Sequence, residues 1–271
     1  MKKLLKAAAL PVLFAASSFA SAGTLVVDLF NGAPLNGVTQ AIVDDTADAT
    51  AVQALEYGPD FAGVLGGYRD VSVNCLSGCI AGSTIASAVA ISNAAGEGGV
   101  FNFSNASGVA GQAVIAWDGQ GTGAAAAGLG GIDFSSFSAF EVDVISSDGG
   151  STVASWQFSV VIEDLAGNTS TVTLEANQVA APGAINYITL DLFSLCGAAN
   201  VGQLVSVVCT GGPVDLTQVD KLTALLNVNG LDDVDLRLRG VQLVPEPGMM
   251  SIMGLGLLMM GVFARRKRLQ A

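Results

Sequence analysis

The sequence predicts an all-β protein, a β-sandwich ectodomain of about 220 residues set between two apolar end segments. Three observations predict it. Apolar and polar residues alternate with period two in about a dozen short stretches between Thr24 and Val244. No stretch of that body sustains a 3.6-residue apolar period. Gly, Ala, Ser, Thr, Val and Asp dominate there, with few Lys, Glu or Arg to cover exposed helix faces.

Residues 1–22 read as a signal peptide. Lys2, Lys3 and Lys6 precede the apolar run Ala7 to Ala20, and Ala20-Ser21-Ala22 offers the small-x-small cut of a signal peptidase before Gly23. Thr24 to Phe30 then reads as a strand closed by the turn N-G-A-P. Gly37 to Tyr57 is a polar-apolar mixture with room for one short helix and no convincing cap. Tyr68 to Cys75, Ser83 to Ser92, Gly99 to Phe103 and Gln112 to Trp117 alternate and read as strands.

The glycine-rich stretch Trp117 to Phe134 has neither the Gly-Lys-Ser/Thr ending of a P-loop nor a βαβ unit around it, so it reads as an inter-strand loop. Ser138 to Ser146 and Thr152 to Glu163 follow, the latter joined to Ser170–Glu175 by E-D-L-A-G-N-T as a hairpin. Ile185 to Leu192 is another strand, Thr217 to Asn229 contains one more, and Asp233 to Val244 is the last. There Val234, Leu236 and Leu238 are out of phase with Val241 and Leu243, which predicts a bulge near Gly240.

The body from residue 23 to 243 is expected to be one sandwich domain, followed by a tail over 244–271. The tail reads V-P-E-P, then seventeen uncharged residues over 248–264, then Arg265, Arg266, Lys267 and Arg268. At ~1.5 Å per residue the uncharged run makes roughly 25 Å of helix, at the short end of a membrane span. The basic cluster behind it predicts a cytoplasmic C-terminus by the positive-inside bias.

Pro245-Glu246-Pro247, a short glycine- and methionine-rich apolar run and the terminal R-R-K-R cluster resemble the PEP-CTERM sorting signal of exported proteins. The resemblance implies processing near Pro245–Pro247 by an exosortase-type membrane protease. It implies transient anchoring in the inner membrane, then passage to the cell surface or extracellular matrix of a bacterium that makes exopolysaccharide. W-D-G, G-L-G-G-I-D-F, I-S-S-D-G-G and D-D-V-D-L-R-L resemble, more loosely, jelly-roll β ectodomains, and the last strand resembles that of carbohydrate-binding modules.

Charge and composition narrow the chemistry. Without the end segments four basic and twenty-two acidic residues remain, a net charge of −18 for residues 23–244. Such a body repels nucleic acid, and no nucleic acid partner is expected. The chain has no histidine, which excludes Ser-His-Asp and Cys-His catalysis and histidine-ligated zinc. Glu141 and Asp143 share one face of a strand and read as its solvated side, so no enzyme is expected. A secreted two-carboxylate glycoside hydrolase is the remote alternative.

Four cysteines in an exported body predict disulfides, and of three connectivities the local pairing Cys75–Cys79 with Cys196–Cys209 is favoured. No cofactor is required. Asp232, Asp233 and Asp235, with Asp148 in a D-G-G turn, read as solubilising surface acids with calcium as the sharper alternative. A sugar ligand would use an exposed aromatic plane. Trp117, before Asp118-Gly119 at a strand end, is the favoured candidate over Trp156, Tyr57, Tyr68 and Tyr187.

Overall fold

The computed structural model describes residues 23–30, 40–47, 53–57, 63–94, 98–120, 126–149, 155–176 and 184–245. The expected signal peptide, the apolar run 248–264 and the basic cluster lie outside them. Among the described residues no helix is long and apolar enough to cross a membrane.

The strands are β1 (Leu25–Asp28), β2 (Gln40–Asp44), β3 (Gln53–Tyr57), β4 (Arg69–Ser77), β5 (Ser87–Ala94), β6 (Gly98–Asn105), β7 (Ala110–Trp117) and β8 (Phe137–Gly149). They continue with β9 (Gln157–Asp164), β10 (Thr169–Glu175), β11 (Ala184–Thr189), β12 (Ala199–Val201), β13 (Leu204–Thr210), β14 (Val219–Leu226) and β15 (Val234–Pro245). They form two antiparallel sheets. One runs β11-β8-β15-β6-β5-β2, with β1 added to the C-terminal half of β15. The other runs β12-β13-β10-β9-β14-β7-β4-β3. This is the expected all-β sandwich.

Period-two alternation drives the packing. Along β10 the burial alternates without a break, and Val172 and Leu174 face the core. From the first sheet Phe101, Phe140, Leu236 and Leu243 meet Val73, Ile115, Ile162 and Leu222 of the second in one apolar cluster. Each such side chain contributes roughly 1.5–3 kcal/mol on full burial.

The bulge in β15 lies where the phase break puts it. Its register against β8 shifts between Leu238 and Gly240, so Val234, Leu236, Leu238, Val241 and Leu243 all turn inward. A side chain at Gly240 would bring its Cβ within 3.2 Å of the Asp28 carbonyl oxygen. The β9–β10 hairpin also forms as expected, Glu163 opposite Thr169. Asp164 organises its turn, accepting from the amides of Ala166 and Asn168 through Oδ1.

Three stretches differ from the sequence reading. Residues 37–57 hold no helix among the described positions but two strands, β2 pairing β5 and β3 pairing β4. Q-A-I-V-D and Q-A-L-E-Y are too short to declare a period, and sheet edges captured them. The segment between Cys196 and Cys209 is not a plain excursion either: it contains β12 and β13, and β13 pairs with β10. Ile185 to Leu192 is strand only to Thr189 and then tightens into a 3-10 turn over Leu190–Ser194.

Candidate functional site

Both disulfides join the expected partners, Cys75 to Cys79 and Cys196 to Cys209. The first sits over β2, where the Cys75 amide donates to Asp44 Oδ2 at 2.7 Å. The second ties the segment after the 3-10 turn to β13.

Trp117 is not a ligand platform. It is 2% exposed, and its indole Nε1–H donates to Asp28 Oδ2 at 2.9 Å. It follows Ala113 and Ile115 in inward phase, which outweighed its place at a strand end beside a turn. Trp156 is also buried, and Tyr68 is half-buried.

Asp28 is the centre of a buried polar knot. Its Oδ1 accepts from Arg69 Nη1 at 2.5 Å and from the Phe30 amide at 2.7 Å, and both charged side chains are 0% exposed. The guanidinium carbon lies 5.4 Å from the Phe30 ring centroid. Burial pushes the Asp28 carboxyl above its ordinary 3.8, opposed by Arg69, the Trp117 N–H and the Phe30 amide. Sequence reasoning missed this pair. Its signal was phase, because Arg69 shares a strand face with Val71 and Val73.

The acids proposed for calcium do not converge. Asp233, at φ 57°, accepts from the Gly108 amide at 2.6 Å. Asp232 is exposed and bridges to Ala110, while Asp235 on β15 stands opposite Asp148 on β8. Among the described residues no group of three or more acidic or cysteine side chains is placed to hold a metal.

The glycine-rich loop is not a free one over its described part. Its amides are committed: Gly128 donates to the Asp118 carbonyl, Leu129 to the Asp220 carbonyl and Gly130 to Asp220 Oδ1. At Gly119, φ 77°, an added Cβ would stand 2.3 Å from the Gly128 carbonyl oxygen, so this close turn requires glycine.

Among the described residues the exposed aromatic is Tyr187, on edge strand β11 and 60% accessible; the side chain of Tyr57 lies outside them. Directly opposite it on β8 is Glu141, and opposite Glu141 on β15 is Gln242. The three form a row across the outer face of the first sheet. Gln242 Nε2 donates to Glu141 Oε1 at 2.7 Å. The charge of Glu141 and its hydrogen bond with the Tyr187 hydroxyl raise the tyrosine above its ordinary 10.0.

Two residues along β8, Asp143 faces the same side and accepts from Arg239 Nη1 at 3.1 Å. Glu141, Asp143, Arg239 and Gln242, with Leu29 beside them, border a shallow hollow of about 130 Å³. Farther across the face Arg237 Nε donates to Asn102 Oδ1 at 3.0 Å. The polar face therefore crosses β11, β8, β15 and β6, a width of roughly 15 Å at ~4.8 Å per strand. An aromatic plane flanked by carboxylate, amide and guanidinium groups can stack on a ring and hydrogen-bond its hydroxyls.

At the other end of β15 the fold runs straight into the P-E-P triplet. Val244 stands opposite Ala139 and Pro245 opposite Phe137. The Ser138 hydroxyl donates to the carbonyls of both Val244 and Pro245, at 3.3 Å each.

These features define a two-sheet β body whose last strand continues into a terminal sorting segment. That segment, residues 243–268, matches the family model of the PEP-CTERM protein-sorting motif. The motif implies export and membrane-anchored sorting of the chain by an exosortase. No curated protein matches the sequence. Among solved structures, the family 11 carbohydrate-binding module of a cellulosomal cellulase of Clostridium thermocellum is similar at 12% identity and TM-score 0.36, over 82% of this chain and 95% of that one. An exo-β-agarase is similar at 16% identity and TM-score 0.37, over 65% of this chain. The likeness spans only 23% of the agarase's length. At these values the resemblance to such β folds is one of strand layout, and the fold rests on the two sheets themselves.

Proposed function

We propose that the chain is an exported, non-enzymatic protein of the cell surface or extracellular matrix, sorted through its tail, whose β-sandwich contacts exopolysaccharide. The sorting-motif match at residues 243–268 carries the route. In this reading signal peptidase cuts before Gly23. The apolar run then holds the chain in the inner membrane with its C-terminus cytoplasmic, and an exosortase-type protease processes it near Pro245, Glu246 and Pro247. The basic residues Arg265, Arg266, Lys267 and Arg268 keep that end inside.

The exposed row of Tyr187, Glu141 and Gln242 supports the contact with sugar. It supports binding rather than hydrolysis because Glu141 and Asp143 project from one face of one strand, whereas a glycosidase sets its two carboxylates on opposite sides of the scissile bond.

Two experiments test the reading. Pro245→Ala with Glu246→Ala is expected to leave the chain uncleaved in the membrane fraction; normal maturation of that double variant would remove the sorting half. Gel retardation of the purified protein in the producer's extracted exopolysaccharide, with and without calcium, tests the binding half. Retardation lost in Tyr187→Ala supports it. Equal mobility with and without polysaccharide leaves a purely structural matrix protein, and retardation only with calcium makes the contact metal-dependent.

A further inference from the structure

The polar face that carries Tyr187 is acidic. On β8 and β15 it holds Glu141, Asp143, Asp148 and Asp235 against two guanidinium groups, Arg237 and Arg239, a net formal charge of −2. Both cations are engaged within the face, Arg239 with Asp143 at 3.1 Å and Arg237 with Asn102 at 3.0 Å. Asp148 and Asp235 stand directly opposite each other, and among the described residues neither is ion-paired. Their neighbours fix their outward direction: Leu236 is buried, and Ser147 Oγ accepts from the indole of the buried Trp156 at 3.2 Å.

Like charges set directly across a ladder destabilise the pairing, and a cation brought from outside relieves them. A metal ion is a poor fit: calcium takes about six to eight oxygens, and among the described residues no three acids are placed to hold one. A protonated amine has only three donors to satisfy, and two facing carboxylates with water can do so. Glu141, beside the Tyr187 plane, and Asp148 are seven residues apart on β8, roughly 20 Å at ~3.3 Å per residue. A polymer stacked on Tyr187 and laid along β8 therefore reaches the Asp148–Asp235 pair a few sugar units further on. At longer range the charge of −18 over residues 23–244 repels a polymer of uronic acids and draws a cationic one in.

We infer that the polysaccharide met by this face bears protonated amino groups, one of which seats between Asp148 and Asp235 while a sugar ring stacks on Tyr187. This rests on the polysaccharide contact proposed above and adds the class of polymer, an amino-sugar chain with free amines.

The test uses the full-length chain in micelles of an uncharged polyoxyethylene detergent, titrated by calorimetry in mildly acidic buffer that keeps a sugar amine protonated. The probes are a β-1,4-linked glucosamine hexamer, the same hexamer fully N-acetylated, a galacturonate hexamer and hexalysine. The glucosamine hexamer should bind about three- to tenfold more tightly than its acetylated form, and the uronate should not bind. Added salt should narrow that gap. Asp148→Asn with Asp235→Asn should close it while leaving the acetylated hexamer's affinity unchanged, and Tyr187→Ala should weaken both. Acetylated or uronate hexamer bound as tightly as glucosamine, in a manner lost in Tyr187→Ala, would overturn the amine and leave the polysaccharide contact standing. Hexalysine bound as tightly as the glucosamine hexamer, or a preference intact in the double variant, would overturn it too, since attraction to the acidic body at large would then suffice. If no sugar hexamer binds, the amine inference fails, and retardation in the producer's exopolysaccharide decides the polysaccharide contact separately.

Discussion

Breaking the pair at the centre of the buried knot should be among the most damaging single changes to this fold. In Asp28→Asn the Arg69 guanidinium, 0% exposed, loses the carboxylate it touches at 2.5 Å. In Arg69→Met the carboxylate is stranded instead, keeping the Phe30 amide and the Trp117 indole as donors. Removing one partner of a buried pair costs about 3–5 kcal/mol, because the charge left behind stays desolvated and loses its closest counter-charge. Replacing both partners leaves no such charge. The double variant Asp28→Asn with Arg69→Met should therefore be at least about 2 kcal/mol more stable than the summed single losses predict. Urea unfolding of the oxidised protein, followed by far-ultraviolet circular dichroism, measures all four corners of the cycle. If each single change costs under about 1 kcal/mol, or if the two losses simply add, the knot is not an ion pair held in the core and the reasoning fails.

Other outcomes follow from the same structure. Tyr187 is raised by Glu141, so Glu141→Gln should move the titration of the Tyr187 ring, followed by its NMR signals, toward its ordinary 10.0; no movement would separate the two side chains. Burial would raise Asp164, but the amides of Asp215, Asn168 and Ala166 and the Asn168 side chain outweigh it and hold the carboxyl below 3.8. Its contribution is therefore full above the unfolded value and is lost as pH falls through the folded one. Melting temperature should drop on acidification below about pH 4, and less steeply in Asp164→Asn. In the loop-entropy view, removing Cys196–Cys209, thirteen residues apart, should cost about 3 kcal/mol, against about 2 kcal/mol for Cys75–Cys79, four residues apart. Urea unfolding of the two Cys→Ser pairs checks the order. Ala224 lines a cavity of about 70 Å³ between the sheets, and Ala224→Leu should raise stability by up to about 1–2 kcal/mol by filling it, read as a higher urea midpoint.

The sandwich was legible where alternation ran long enough to declare itself. Gln157 to Glu163, the later part of the strand expected from Thr152, and the hairpin to Glu175 could be read residue by residue, and the slip at Gly240 followed from two inward phases that a straight strand cannot reconcile. β2, β3, β12 and β13 were not legible, because three to seven residues carry too little period and their strand state is set by the neighbour each pairs with. The candidate binding face was only half visible. Glu141 read correctly as a solvated strand position, but its alignment with Tyr187 and Gln242 depends on β11 and β15 pairing with β8 from 46 and 101 residues away. The preference for Trp117 over Tyr187 failed for a similar reason: a turn next to a strand end suggests exposure, while inward phase and a buried carboxylate acceptor decided the burial.

That β15 reaches as far as Pro245 has a mechanical consequence. β15 lies inside its sheet, bonded to β8 along its length and to β6 and β1 on the other side, and it runs to Pro245. A pull at that end directed along β15 loads its rungs together in shear, instead of peeling them open one after another. A chain gripped at this end while its body is held by a surrounding matrix would resist extraction up to the combined strength of those rungs. Under such a load the strength of the last strand is that of the sheet around it.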